Sequence, residues 1–316
     1  MAWHDRSALK QWVVDRVRLQ AETGALTPTA AVAAADASLA VGYRGNLLFC
    51  MIAERLAAER GMSVAQYIAA TRDGRDVHWP AETERVCGIP YAVGDLLDLC
   101  FRSLPPPEAV RFAVTAVEAI AVGADLSLVP ARLNTDLLIG DGDEPHGVVR
   151  HIHAAGGRRA AADRVVALYQ RRLAGDMPSE EEWDAATGDA MVASSVIDDP
   201  LLMVEQAAAY AVLAASALRA GADWEQMTRW WAIGHGNAAH AAAYTAWAAV
   251  HAPDVTALAG SDDVATYGDP PYCYESHTTF FSDVREPQKT FAGTEVCQEH
   301  FRWRAGRLLH HLAGAL

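Results

Sequence analysis

Lysine is almost missing: 24 of the 26 basic residues are arginine, and Lys10 and Lys289 are the only lysines. Arginine in that excess, beside 63 alanines in 316 residues, reads as a compositional bias of the chain and not as a binding surface. Positive charge is short altogether. Forty Asp and Glu leave a formal net charge of −14 at pH 7. That excludes nucleic acid as an expected partner, because phosphate contacts depend on clustered Lys and Arg. Cysteine is scarce and unpaired. Cys50, Cys87, Cys100, Cys273 and Cys297 are odd in number and widely spaced, which fits free thiols in a reducing compartment better than a disulfide framework. Long apolar runs are lacking too. The most apolar, Ala207 to Leu218, is about a dozen residues against the roughly 20 of a membrane span. The polar start Met1-Ala2-Trp3-His4-Asp5-Arg6 carries no apolar stretch of a secretory signal. A soluble, cytoplasmic protein that meets no membrane is the expectation.

Several chemical signatures are missing as well. There is no G-x-x-x-x-G-K-[ST], no G-x-G-x-x-G after a strand, no H-E-x-x-H and no G-x-S-x-G. Asp198-Asp199 begins like an Asp-rich diphosphate motif, but Pro200 follows at once and no second cluster completes it.

What is present is alanine on helical spacing. The chain is 51% hydrophobic with mean hydropathy +0.02, apolar enough to offset its ordering entropy by burial. Leu9, Trp12, Val13, Val17 and Leu19 mark a helix over 7–22, stopped by Gly24. Thr27-Pro28 opens an Ala-rich stretch, and 44–59 reads as another amphipathic helix. Ser63-Val-Ala-Gln66 and Ser179-Glu-Glu-Glu182 are capping boxes, since each serine can accept from the third amide while Gln or Glu reaches back. Further helices are expected at 94–103, 107–121, 127–139, 159–174, 200–220, 223–250 and 294–313. The expected fold is all-α, a compact bundle or irregular array of antiparallel Ala-rich helices, with one long aromatic loop at 260–293. The acidic loop Gly140 to Pro145 separates an N-terminal half, 1–139, from a C-terminal half, 144–316, within one continuous globular unit.

Twelve histidines supply the candidate chemistry. His146, His151 and His153 follow Asp141, Asp143 and Glu144, and imidazole with carboxylate is a sensible donor set for Zn or Fe. His300, on the last helix, joins them as a candidate ligand. The spacing is awkward, because His146 and His151 would project about 140° apart on a regular helix. The plain alternative is a solvated His/Asp surface. A second set, Trp224, Trp231 and His235 followed by His240, Tyr244 and Trp247, falls at helical spacing amid alanine, with His277 in the loop beyond. Large, partly polar side chains on such stripes line either a ligand pocket or simply a core seam. Cys273, Glu275 and His277 lie within five residues, but a nucleophile with its base is defined in space and not by sequence nearness.

The stretch from Leu168-Tyr-Gln-Arg-Arg-Leu-Ala-Gly175 through Ser179-Glu-Glu-Glu-Trp183-Asp-Ala-Ala186, with the Ala-rich helices bearing Trp, Tyr and His that follow, resembles the Ala-rich all-helical immunity proteins of bacterial toxin–immunity loci. The resemblance covers about residues 168–251, a quarter of the chain. It implies an all-α protein that neutralises or sequesters a protein partner by binding it, with no catalytic residues to carry over. An acidic body suits a basic partner, since complementary charge speeds encounter. No cofactor is needed on this reading. The alternatives are a metal-dependent helical enzyme using Fe or Zn, and a small-molecule-binding protein with a Trp/His-lined pocket.

Overall fold

The computed structural model describes residues 1–4, 6–26, 47–72, 79–140, 146–152, 157–194, 203–218, 234, 238 and 295–315. Among the described residues the chain is all-α, with eleven α-helices, one short 3-10 turn and no strand. They divide into two compact units, one of Met1–Pro130 with Ala305–Leu316 and one of Ala131–Arg304.

The first unit opens with α1, Ser7–Glu22, which buries Leu9, Val13, Val14 and Val17 on one stripe. Helix α2, Leu47–Glu59, is the most apolar of this unit's early elements and packs against α1, α3 (Val64–Arg72) and α5 (Tyr91–Ser103). Ser63 caps α3 as expected. Its Oγ accepts from the Gln66 amide at 3.2 Å, while Gln66 Oε1 accepts from the Ser63 amide at 2.8 Å. Helix α4, Trp79–Cys87, falls where the sequence reading placed none. Pro105 and a proline in the first turn start α6, Pro106–Ala119.

The chain's start is drawn into this unit. Trp3 is wholly buried, and its indole Nε1 donates to the Ile120 carbonyl at 3.0 Å. Ala2 exchanges backbone hydrogen bonds with Gly123 and Ala124. Trp3 and His4 adopt φ of 61° and 44°, a region non-glycine residues avoid, so burial of the indole is what holds this strained turn.

The second unit takes in most of α7 (Val129–Ile139), the 3-10 turn Val148–His151, α8 (Gly157–Leu173), α9 (Glu180–Ser194), α10 (Met203–Ala217) and the beginning of α11 (Glu295–Ala313). Its core gathers Leu137, Leu138, Val148, Ile152, Val165, Leu168, Tyr169 and Trp183 with a large share of alanine from α9 and α10. Small side chains let these axes approach. Even a methyl group at Gly234 would lie 3.1 Å from the Ala214 Cβ of α10. A polar chain crosses this core. Asn134 donates to the Tyr169 hydroxyl at 2.6 Å, which donates to the Ala215 carbonyl at 2.6 Å, tying α7, α8 and α10 together. Between α8 and α9 the backbone turns at Gly175, φ 88°, and the second capping box follows. Ser179 Oγ accepts from the Glu182 amide at 3.2 Å, and Glu182 accepts from the Ser179 amide at 2.8 Å.

Candidate functional site

The structure concentrates its unusual chemistry on the early part of α11. His300, Trp303 and Arg304 stand at i, i+3 and i+4, so they share one face of the helix. That face is turned inward: His300 and Arg304 are fully buried. His146 reaches the same place from the chain just after α7. Its ring stacks on Trp303 with centroids 4.5 Å apart and an interplanar angle of 23°, and meets His300 edge-on at 5.4 Å. The Arg304 guanidinium lies 5.0 Å from the Phe301 ring centre.

Gly147 sets the approach of His146. It is buried in extended backbone at the head of the 3-10 turn. A Cβ there would fall 2.6 Å from the Gly140 amide nitrogen, so only hydrogen lets this segment press against the end of α7. The 3-10 turn also answers the angular difficulty of the sequence reading. His146 precedes that turn and His151 ends it, so the two are not on a common α-helix face, and His300 is brought to them by a distant element.

The electrostatics are one-sided. Burial holds His300 well below the usual imidazole value, and Arg304, His146 and His151 push it further in the same direction. It is therefore a neutral ring at pH 7, one nitrogen a donor and the other an acceptor. Among the described residues neither His300 nitrogen has a hydrogen-bond partner, and the buried Trp303 Nε1 lacks an acceptor. A buried polar atom left in that state costs about 1–3 kcal/mol.

Of the histidines proposed as metal ligands, His146 and His300 are in ring contact, His151 acts on His300 through its charge, and His153 lies outside the described residues. Among the described residues no group of three or more His, Cys, Asp or Glu is placed to hold a metal ion. The whole pocket set, Trp224, Trp231, His235, His240, Tyr244, Trp247 and His277, lies outside the described residues, as do Cys273 and Glu275. Sequence reasoning missed Trp303 and Arg304. Their spacing from His300 on a helix was the available signal.

Two other places have chemical character. In the first unit, Tyr91, Asp95, Asp98 and Arg102 follow i, i+4, i+7, i+11 along α5, near Cys50 of α2. Asp98 and Arg102 pair at 2.7 Å, yet burial still raises the Asp98 carboxyl. Burial, with Asp98 adding to it, pushes the Cys50 thiol up to about 12, and burial does the same to Cys87. Thiols held neutral in this way are poor nucleophiles and poor metal ligands. The adjoining cavity, lined by Val17, Leu47, Met51, Phe101 and Phe112, is about 20 Å³, room for a single water.

The other is the outer face of α9. This helix carries five carboxylates and no basic residue. Glu180, Glu181 and Asp184 are exposed on it, and Met191 and Val192 are 55% and 69% exposed at its far end. Acids in the first turn suit the helix dipole, which accounts for Glu180 and Glu181.

The chain matches no protein-family profile, no characterised protein and no solved structure.

Proposed function

We propose that this chain works by binding a basic protein partner, in the manner of the immunity proteins its sequence resembles. The outer face of α9 carries the reading: exposed carboxylates at one end and exposed Met191 and Val192 at the other, on an element without a single basic residue. Apolar side chains scattered singly on a surface are ordinary, but here they continue a charged face and give it a dry end. Carboxylates steer a basic partner and quicken encounter, while Met191 and Val192 supply area that loses water on contact. Methionine suits such a place because its unbranched chain adapts to the opposing surface. The chain's net charge of −14 adds a long-range field of the same sign.

The test is titration against purified proteins encoded beside its gene, with association followed at increasing salt. A saturable complex is expected, with an on-rate that falls as salt rises and a complex lost in the Glu181→Lys, Asp184→Lys, Met191→Ser variant. Absence of any complex, or a complex indifferent to that variant, defeats the reading.

A further inference from the structure

We propose that Met191, on the outer face of α9, is an oxidation site: a peroxide turns its thioether into the sulfoxide, and the sulfoxide lets a bound partner go. The inference rests on the partner-binding reading of α9 and adds a means of control to it. Exposure decides which sulfur is reached. Met191 stands 55% exposed in the last turn of α9, and Met177 is 62% exposed just before that helix, whereas Met51 of α2 is 3% exposed inside the first unit. The buried stripe of α9 is Trp183, Ala186, Ala190 and Ser194. Met191 follows Ala190 directly and so projects about 100° around the axis from it. Its side chain leans away from the core, and an oxygen added to its sulfur meets water and not the packing of α9.

The step needs one co-reactant, a peroxide such as hydrogen peroxide. The sulfur lone pair takes one peroxide oxygen, the O–O bond breaks, and with its proton passed to the leaving oxygen the products are the sulfoxide and water. Sulfur is oxidised by two electrons and the peroxide is reduced by two. Polarity is what changes at the surface. A thioether gives up water readily when an apolar surface closes on it, which is what suits Met191 to the dry end of the face. A sulfoxide carries a strongly accepting oxygen, and drying that oxygen without a donor in return costs free energy. The carboxylates of α9 are untouched by the reaction. Since they steer the encounter while the apolar end holds the complex together, oxidation leaves the on-rate and raises the off-rate. A seated partner also covers the sulfur, so the unbound chain is oxidised first.

The test uses the full chain, with a synthetic amphipathic peptide of lysine and leucine as the basic, partly apolar probe. After hydrogen peroxide, peptide mapping by mass spectrometry should find the sulfoxide at Met191 and Met177 well before Met51, with the melting temperature unchanged. Biolayer interferometry should give the same association rate and a dissociation rate raised about tenfold, as for one polar group dried without a partner. Met191→Leu keeps the apolar area and offers no sulfur, so its complex should survive peroxide, while Met177→Leu should lose the complex as wild type does. Methionine sulfoxide reductases should restore slow dissociation. The proposal is overturned if Met191 is oxidised no faster than Met51, if the oxidised chain dissociates as slowly as the reduced one, or if Met191→Leu is as sensitive to peroxide as wild type. A reduced chain that never binds the peptide overturns the partner-binding reading and this control with it, whereas equal binding by the reduced and oxidised chains overturns the control alone.

Discussion

Tyr169 shows how much a single atom holds in this protein. Its hydroxyl accepts from Asn134 and donates to the Ala215 carbonyl, and its ring meets Trp183 edge-on at 5.1 Å. Burial raises the phenol far above its usual value, so it stays a neutral donor. Tyr169→Phe keeps the ring and removes the oxygen, leaving an amide and a carbonyl unsatisfied in the core. A loss of about 1–3 kcal/mol is expected by urea unfolding, with the slope on denaturant unchanged. Gly147 is a second such position. One methyl there meets backbone of Ile139 and Gly140, which cannot swing aside, so Gly147→Ala should cost about 1–3 kcal/mol. It should also move His146 off Trp303, read as altered ring shifts of that histidine by NMR. Neither residue announces itself in the sequence. A tyrosine at helical spacing says that it faces the core, not which atoms wait there, and a glycine's close approach is a property of two segments.

Helices were the most legible level, and their start signals were clearest. Both capping boxes are local, four residues each, and both form their reciprocal hydrogen bonds. Ser179→Ala should cost about 0.5–2 kcal/mol in thermal or urea unfolding. Glu182 extends that cap. It pairs with Arg171 at 2.5 Å, and Arg171 with the Ser179 amide holds its carboxyl below the usual 4.5. A carboxyl lowered on folding contributes stability that is full above its unfolded value and disappears as pH falls through the folded one. Glu182→Gln should therefore lower the melting temperature at neutral pH, with the gap from wild type closing as pH drops below 4.5. Helix α4 was illegible because its nine residues begin Trp-Pro and contain Glu-Thr-Glu-Arg, which offers little apolar period. The histidine cluster was half legible. His146, His151 and His300 could be named as chemistry-bearing, but the contact between positions 146 and 300 belongs to the tertiary fold, which no local spacing shows.

For the whole molecule, the decisive fact is the assignment of α11. Its residues through Arg304 belong to the second unit, and from Ala305 onward to the first, where Leu308 and Leu312 are fully buried. Ending the chain after Arg304 removes those side chains, which belong to the first unit. Hydrogen exchange should then speed through α1, α2 and α6 while the α8–α9 hairpin keeps its protection; uniform loss in both would show that the two do not open separately. The same assignment has a meaning in time. A ribosome that has finished residue 130 must add the 174 residues of Ala131–Arg304 before the first unit receives its last helix. At cellular elongation rates that is a wait of roughly 10–35 s. For that interval the earliest helices are synthesised but incomplete, and the apolar surface meant for Leu308 and Leu312 is open to whatever chaperone or neighbouring nascent chain arrives first.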